Sequence, residues 1–188
     1  DRFLLIDMTE QELIQQAQNG TTDCFTQLVV LYQPRLYSYL LARCENPVDA
    51  DDVIQETFIN AYKYLKSYDA QWAFSTWLFT IANRQLHKIS QSKAKAKQVP
   101  LHTLENTASS PEQKPFPDEN NLWLLIKKHL DTPSHDLLWF FYIEDMRIKD
   151  IAHVMKKSES WVKTTLHRSR MKLSNNPAFQ QFKAGVIL

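Results

Sequence analysis

Residues 148–173 read IKDIAHVMKKSESWVKTTLHRSRMKL. Apolar residues recur at helical spacing before and after Lys156-Lys157-Ser158, and serine is a residue type that begins helices by accepting a backbone hydrogen bond. The stretch predicts two short helices, 148–155 and 159–173, joined by a tight turn. Two helices connected in this way, the second of them basic, are typical of a helix-turn-helix.

The two helices divide their residues between an inner and an outer face. The small core between them is predicted to contain Ile151, Met155, Val162 and Leu166, with Ala152 at the crossing, where a small side chain is needed. The outward residues of the second helix can donate to phosphates and to base edges in a major groove; they are Trp161, Lys163, Thr164, Thr165, His167, Arg168 and Arg170. The alternative is a generic helical hairpin with a solvated basic face.

Residues 133–173 resemble the promoter-reading C-terminal domain of bacterial RNA polymerase sigma factors of the extracytoplasmic-function (ECF) type, a group of the sigma-70 family. The matching positions are Ile151, Ala152, Ser158, Val162, Lys163, Leu166, Arg168 and Arg170. Lys156 and Lys157 depart from the usual glycine and apolar residue, Trp161 replaces a threonine, and Thr165 replaces a common arginine. The resemblance implies that Ser158 and the outward residues bind the −35 element of a promoter.

A second motif lies in the first half of the chain. Residues 50–58, ADDVIQETF, resemble the segment with which these sigma factors dock on RNA polymerase. In a helix, positions 52, 55, 56 and 59 share one face, an acidic and polar stripe suited to a basic partner helix. The attraction of acidic side chains to the N-terminus of a helix explains Asp51 and Asp52 but not Gln55 and Glu56. The residues predicted to bind core polymerase are Asp51, Asp52, Gln55, Glu56 and Ile59.

Residues 74–82, FSTWLFTIA, resemble the family segment that, with the loop before it, melts the −10 element and holds unstacked bases. Aromatic planes beside a basic groove suit a single strand. Helical spacing predicts that Trp77, Leu78, Ile81 and Ala82 are core residues, which leaves Trp72 in the loop as the better base contact. The residues predicted to bind the −10 element are Tyr68, Gln71, Trp72, Phe74, Asn83, Arg84, His87 and Lys88. After residue 82 the chain departs from the family pattern, which includes an aspartate. The corresponding positions here are Arg84, Lys88 and Gln91. The loss of the acidic side chain and the gain of positive charge favour tighter contact with DNA phosphates.

Composition predicts an all-α fold. The 188 residues include two glycines, Gly20 and Gly185, so left-handed turns and phosphate-binding loops are few. Residues 93–120 hold four of the eight prolines and little apolar periodicity. We predict two helical domains, 8–92 and 121–175, joined by a flexible linker over 93–120 and followed by a tail over 176–188.

Local signals within the first domain predict its helix ends. Thr9 and Glu12 have capping-box spacing, and Asn19-Gly20 is expected to end that helix. Pro34 is expected to kink or break the next helix. Asn46-Pro47 is expected to form a turn, after which Asp49 caps a long helix. The residues expected to face inward from that helix are Ile54, Phe58, Ala61, Tyr62 and Leu65.

The net charge of +1 hides four blocks of alternating sign. Residues 1–69 carry 5 Lys/Arg and 11 Asp/Glu, and residues 70–104 carry 5 and 0. Residues 105–145 carry 3 and 8, and residues 146–188 carry 9 and 2. The two basic blocks predict two separate contacts with a polyanion, and the acidic blocks predict a contact with a basic partner.

Other classes of protein find no support in the sequence. No apolar run is long enough for a membrane span, and Cys24 and Cys44 suit a reducing cytosol. No phosphate loop, nucleophile motif or metal-ligand spacing is present, so neither an enzyme, a metal site nor a cofactor is expected.

The resemblance implies a dissociable initiation subunit of the cytoplasm, whose partners are core RNA polymerase and promoter DNA. It also implies an anti-sigma factor, which could be membrane-bound, that holds the subunit inactive. The alternative function is a stand-alone helix-turn-helix regulator that binds duplex DNA; such a regulator would not need the face over residues 50–58.

Overall fold

The computed structural model describes residues 8–44, 46–97, 119–177 and 179–180. These residues form eight α-helices and one 3₁₀ turn, and no β-strand occurs among them, which confirms the all-α prediction. The helices are α1 (Glu10–Gln18), α2 (Thr22–Arg43), α3 (Pro47–Tyr64), α4 (Phe74–Lys97), α5 (Glu119–His129), α6 (Thr132–Tyr142), α7 (Ile148–Met155) and α8 (Glu159–Ser174); the 3₁₀ turn, Leu65–Ser67, follows α3.

The chain divides into two compact units, Asp1–Ile89 and Ser90–Leu188. Helix α4 continues to Lys97, so residues 93–97 of the predicted linker are helical. The rest of the predicted linker up to residue 118 lies outside the described residues, as does most of the predicted tail. The predicted domain limits stay predictions.

Helix α1 begins and ends as its sequence indicates. The backbone N–H of Thr9 donates to Glu12 Oε2 at 2.7 Å, and the N–H of Glu12 donates to Thr9 Oγ1 at 3.3 Å. The N–H and then the hydroxyl of Thr9, which both donate to the Glu12 carboxylate, hold the pKa of Glu12 below its usual value. At the other end Asn19 caps the helix, and Gly20 has φ +102°, a conformation that glycine adopts without strain.

Pro34 was expected to kink or break the helix. It does not break it, because α2 runs as one helix from Thr22 to Arg43, and the kink stays a prediction. Proline removes one backbone hydrogen bond. The turns on either side are nevertheless held by tertiary packing, since Tyr32, Leu36 and Tyr39 are buried. Burial of these side chains outweighs the missing bond.

Helix α3 begins earlier than expected. Asn46 is its N-cap, Pro47 is its first residue, and Asn46 Oδ1 accepts from the N–H of Asp49 at 2.8 Å. The expected cap at Asp49 is therefore wrong, since proline is well suited to a first helical turn. Tyr62, expected to face inward, is 52% exposed and contacts the Phe25 ring edge-on at 5.0 Å between centroids.

Helix α4 is the central helix of the first unit. Most residues of its first three turns are buried; the buried residues of α4 are Phe74, Thr76, Leu78, Phe79, Thr80, Ile81, Ala82, Asn83 and Leu86. Ring contacts attach it to α2, with centroid distances of 5.2 Å for Tyr32–Phe74 and 5.6 Å for Tyr39–Phe79. Trp77, expected in the core, is half-buried and packs against its edge.

The second unit contains α5 to α8. Trp123, His135 and Trp139 pack together, with 4.7 Å between the two indole centroids. The predicted core of the helix-turn-helix is largely confirmed, because Ile151, Val162 and Leu166 are buried. Ala152 is also buried, as predicted. Met155 differs from the prediction, because it is only half-buried.

Candidate polymerase and nucleic-acid interfaces

The outer face of α3 presents an acidic and polar stripe. All five predicted docking residues are exposed; they are Asp51, Asp52, Gln55, Glu56 and Ile59. Of the positions between them, Val53, Ile54 and Thr57 are buried and Phe58 is half-buried. Thr57 Oγ1 donates to the carbonyl of Val53 at 2.6 Å, which satisfies a hydroxyl inside the core. The α3 stripe is thus a solvent face on a helix that is anchored on its other side.

A small groove borders the α3 stripe, and no pattern in the sequence indicated it. Its lining comes from α2 and α3 and consists of Gln33, Pro34, Tyr37, Asp51 and Ile54. Ile59, at 60% exposure, adds apolar surface to α3. Acidic groups next to exposed apolar groups suit a partner helix that carries both basic and apolar side chains.

The loop between the 3₁₀ turn and α4 is held by its own hydrogen bonds. Tyr68 Oη donates to the carbonyl of Trp72 at 2.7 Å. The backbone and side-chain amides of Gln71 donate to the two carboxylate oxygens of Asp69, at 3.0 and 2.8 Å. Burial, with a smaller effect from Glu10 and Asp69, raises the pKa of Tyr68. Its hydroxyl therefore remains a donor at neutral pH.

Helix α1 fixes the start of this loop through one side chain. Gln18 Nε2 donates to the carbonyls of Leu65 and Tyr68, at 3.0 and 3.2 Å. A second link lies nearby, where Tyr32 Oη donates to Glu10 Oε2 at 2.6 Å. Sequence reasoning missed Gln18, because its partners are backbone carbonyls 47 and 50 residues away, which no local pattern reveals.

Two residues predicted to contact the −10 element lie in the core. Phe74 is 2% exposed, and its ring centroid is 5.2 Å from that of Tyr32 and 5.4 Å from those of Tyr68 and Trp77. Asn83 is 7% exposed on the same central helix. Each residue lies on a face of α4 that packs against the rest of the unit, so neither side chain is accessible to DNA in this conformation. Their contacts with the −10 element stay predictions.

The other predicted −10 residues lie at the surface. Trp72 and Tyr68 are half-buried and Gln71 is exposed. Arg84, His87 and Lys88 are exposed at spacings of three and four residues, so they share one face of α4. An aromatic loop and a cationic helix face thus occur within one unit.

Helix α8 begins at the predicted cap. Ser158 Oγ accepts from the N–H of Trp161 at 3.1 Å, so the hydroxyl predicted to contact DNA already has a partner. The buried face of α8 consists of Val162, Leu166, Ser169 and Leu173. The outward residues are exposed except for Trp161 and Thr165, which are half-buried. The predicted basic face is therefore present.

One of the basic residues of α8 is fixed by aromatic rings. Arg170 Nε donates to Tyr142 Oη at 2.7 Å. The guanidinium carbon lies 5.1 and 5.4 Å from the ring centroids of Phe141 and Tyr142. These contacts orient Arg170 before any ligand binds. The sequence indicated its charge but not these rings, which end α6.

The described residues contain neither a candidate metal site nor a candidate membrane-spanning helix. No group of three or more His, Cys, Asp or Glu within those ranges could hold a metal ion. None of the described helices is both long and apolar enough to cross a membrane.

Comparison with known proteins shows a similarity to one group of proteins. The sequence profile of Sigma-70 region 2 matches residues 28–95, from α2 through α4. The ECF RNA polymerase sigma-E factor of Salmonella typhimurium is 28% identical over 180 residues, which cover 89% of this chain and 94% of that protein. The chain is thus similar to an ECF sigma factor across both units. This similarity does not favour the stand-alone regulator.

Two solved structures resemble this chain. CnrH, in complex with the cytosolic domain of CnrY, is 25% identical with a TM-score of 0.64, over 86% of this chain and 92% of that one. The sigma factor RpoE, in complex with the anti-sigma factor NepR from Bartonella quintana, is 16% identical with a TM-score of 0.64, over 85% and 96%. The second likeness supports the fold.

Proposed function

We propose that this sigma factor binds core RNA polymerase in the cytoplasm and directs promoter-specific initiation of transcription. The observation that carries the proposal is the α3 stripe, in which all five predicted docking residues are exposed while the positions between them are buried or half-buried. A regulator that only binds duplex DNA has no need of such a face. The acidic stripe and the neighbouring groove favour a basic, partly apolar helix as partner.

The −10 element is proposed to bind the first unit. The loop over residues 68–73 offers the half-buried indole of Trp72 for stacking on an unpaired base. The exposed cations Arg84 and Lys88, with His87 beside them, suit the phosphates of the same strand. The buried ring of Phe74 contacts the rings of Tyr68 and Trp77 and so helps to hold this loop in place.

The −35 element is proposed to bind α8. The N-terminal turns of a recognition helix contact base edges in the major groove. Thr164, Thr165 and Arg168 supply donors there, while Lys163, His167 and Arg170 suit phosphates. Because Arg170 is already oriented by Tyr142, it can bind a phosphate with a smaller loss of side-chain freedom.

An anti-sigma factor is proposed as the regulatory partner. The related CnrH is solved with the cytosolic domain of CnrY bound, and a similar domain could cover the α3 stripe and α8 of this chain. Competition between such a domain and core polymerase would then set the activity of the sigma factor.

The test of the proposed function is reconstitution with core polymerase. We expect the full chain to give promoter-dependent transcripts from a genomic library in vitro. Glu56→Arg should lower affinity for core by at least about tenfold, because like charges brought together cost several kcal/mol. If the chain binds duplex DNA but supports no promoter-dependent transcript, the proposal is wrong.

A matched pair of variants separates docking from general surface charge. Gln55 and Gln15 are both exposed glutamines on helices of the first unit, one within the α3 stripe and one on α1. Gln55→Arg should weaken binding to core polymerase, whereas Gln15→Arg should leave it unchanged. If the two variants change the affinity for core polymerase equally, the α3 stripe is not part of the interface.

A further inference from the structure

Trp161 is a large apolar side chain in the first turn of α8. It is the only Trp, Tyr or Phe of that helix, and it lies outside the buried face formed by Val162, Leu166, Ser169 and Leu173. Its ring is half-buried. Its backbone N–H is bound by Ser158 Oγ, which fixes the first turn of the helix. The indole is therefore not needed to complete the core and retains open surface.

The ammonium group of Lys157 lies over the indole ring of Trp161. Lys157 Nζ lies 5.4 Å from the centroid of the Trp161 ring. The turn that carries this lysine is fixed by the left-handed Lys156 and by the N–H of Lys157, which donates to the carbonyl of Ala152 at 3.0 Å. An ammonium within about 6 Å of a ring centroid is attracted to the ring. The indole is thus pre-oriented.

The neighbours of Trp161 on α8 are side chains that can bind base edges. Thr164, Thr165 and Arg168 follow at three, four and seven residues, so they share one helix face with the indole. The thymine C5-methyl is the apolar group that a base pair displays in the major groove. An apolar ring in the first turn of a recognition helix suits this methyl group better than it suits a phosphate.

We propose that Trp161, held by Lys157, packs on the C5-methyl of a thymine in the −35 duplex and thereby determines specificity at that base pair. This inference rests on the proposed function and deepens it. The threonine usual at this position in the family is smaller, so the tryptophan gives this chain a larger apolar contact. A site selected by this sigma factor should therefore require thymine at one position opposite the first turn of α8.

The test removes single methyl groups from DNA. Holoenzyme made from core polymerase and the full chain selects −35 sequences from duplexes randomised upstream of a fixed −10 element. Each enriched thymine is then replaced in turn by deoxyuridine, which lacks only the C5-methyl. At one position we expect affinity to fall about fourfold, the loss anticipated for one buried methyl group. Trp161→Ala should bind the thymine and deoxyuridine duplexes equally.

Two further variants complete the design. Leu124→Ala, which truncates an exposed apolar residue of α5, should keep the full preference for thymine. Lys157→Ala should reduce that preference, because the ring loses its restraint. If no deoxyuridine weakens the wild-type complex, or if Trp161→Ala shows the same loss as wild type, the inference is overturned. Failure of the wild-type holoenzyme to enrich any sequence would instead count against the proposed function.

Discussion

At the scale of single residues, the turn between α7 and α8 contains a strained position. Lys156 ends α7 in the left-handed conformation, with φ 53° and ψ 46°. Its N–H and that of Lys157 donate to the carbonyls of His153 and Ala152, at 3.3 and 3.0 Å. Glycine usually occupies such a position, because a Cβ is unfavourable there.

We predict that Lys156→Gly stabilises the second unit by roughly 0.5–1 kcal/mol, the relief of left-handed strain less the backbone entropy of glycine. Urea denaturation combined with amide hydrogen exchange in α7 and α8 measures the change. Lys157→Gly is the matched control, since residue 157 does not have positive φ, and it should be destabilising. A loss of stability in Lys156→Gly would contradict the strain argument.

Ser158 allows helix capping and DNA contact to be separated. Because its Oγ accepts from the N–H of Trp161, Ser158→Ala should destabilise the second unit by about 1 kcal/mol. Ser158→Asp keeps a good cap and should keep stability. The added negative charge should nevertheless weaken −35 binding if phosphates approach the start of α8. Unchanged affinity of Ser158→Asp in filter binding would place this turn away from the DNA.

At the scale of elements, α1 acts as a brace, because it holds by hydrogen bonds the start of the loop over residues 68–73, which we propose binds the −10 element. The side chain of Gln18 connects α1 to that region, and both of its hydrogen bonds reach backbone carbonyls. Tyr68 then connects the same loop to Trp72 through its hydroxyl. The position of the indole therefore depends on a helix that is distant in sequence.

We predict that Gln18→Ala costs about 1–2 kcal/mol in stability of the first unit, since two partly buried carbonyls lose their donor. It should also weaken binding of a single-stranded −10 oligonucleotide to holoenzyme while leaving affinity for core polymerase unchanged. Gln15→Ala, on the exposed face of α1, should change neither property. Normal oligonucleotide binding by a destabilised Gln18→Ala would show that the brace serves the fold alone.

At the scale of the whole molecule, the proposed function assigns a different DNA contact to each of the two units. Each contact is weak when it acts alone, and connecting them raises the effective concentration of the second once the first has formed. We predict that cutting a protease site inserted between residues 100 and 117, after holoenzyme assembly, lowers transcription from a promoter that needs both elements by about 100-fold. Core binding by the first unit should survive the cut. Full activity after complete cleavage would refute the need for a connected chain.

Sequence patterns predicted the architecture more fully than the sites. The helix-turn-helix, the capping box of α1 and the exposed stripe of α3 depend on residues within one or two helical turns of each other, so their spacing could be read directly. The −10 site was less predictable. Phe74 and Trp77 both have aromatic side chains at helical spacing, and only packing decides that Phe74 is buried and Trp77 half-buried.

The sequence by itself determined an all-α protein with a basic face on the second helix of a helix-turn-helix and an acidic stripe on α3, because these features follow from local periodicity and charge. Tertiary structure alone decided four others: an unbroken helix at Pro34, the brace from Gln18, the rings around Arg170, and the ammonium over Trp161. Each of these joins groups that the chain brings together by folding or by a specific turn geometry. Their energies come from burial and orientation, which depend on the neighbours in space rather than on the order of residues.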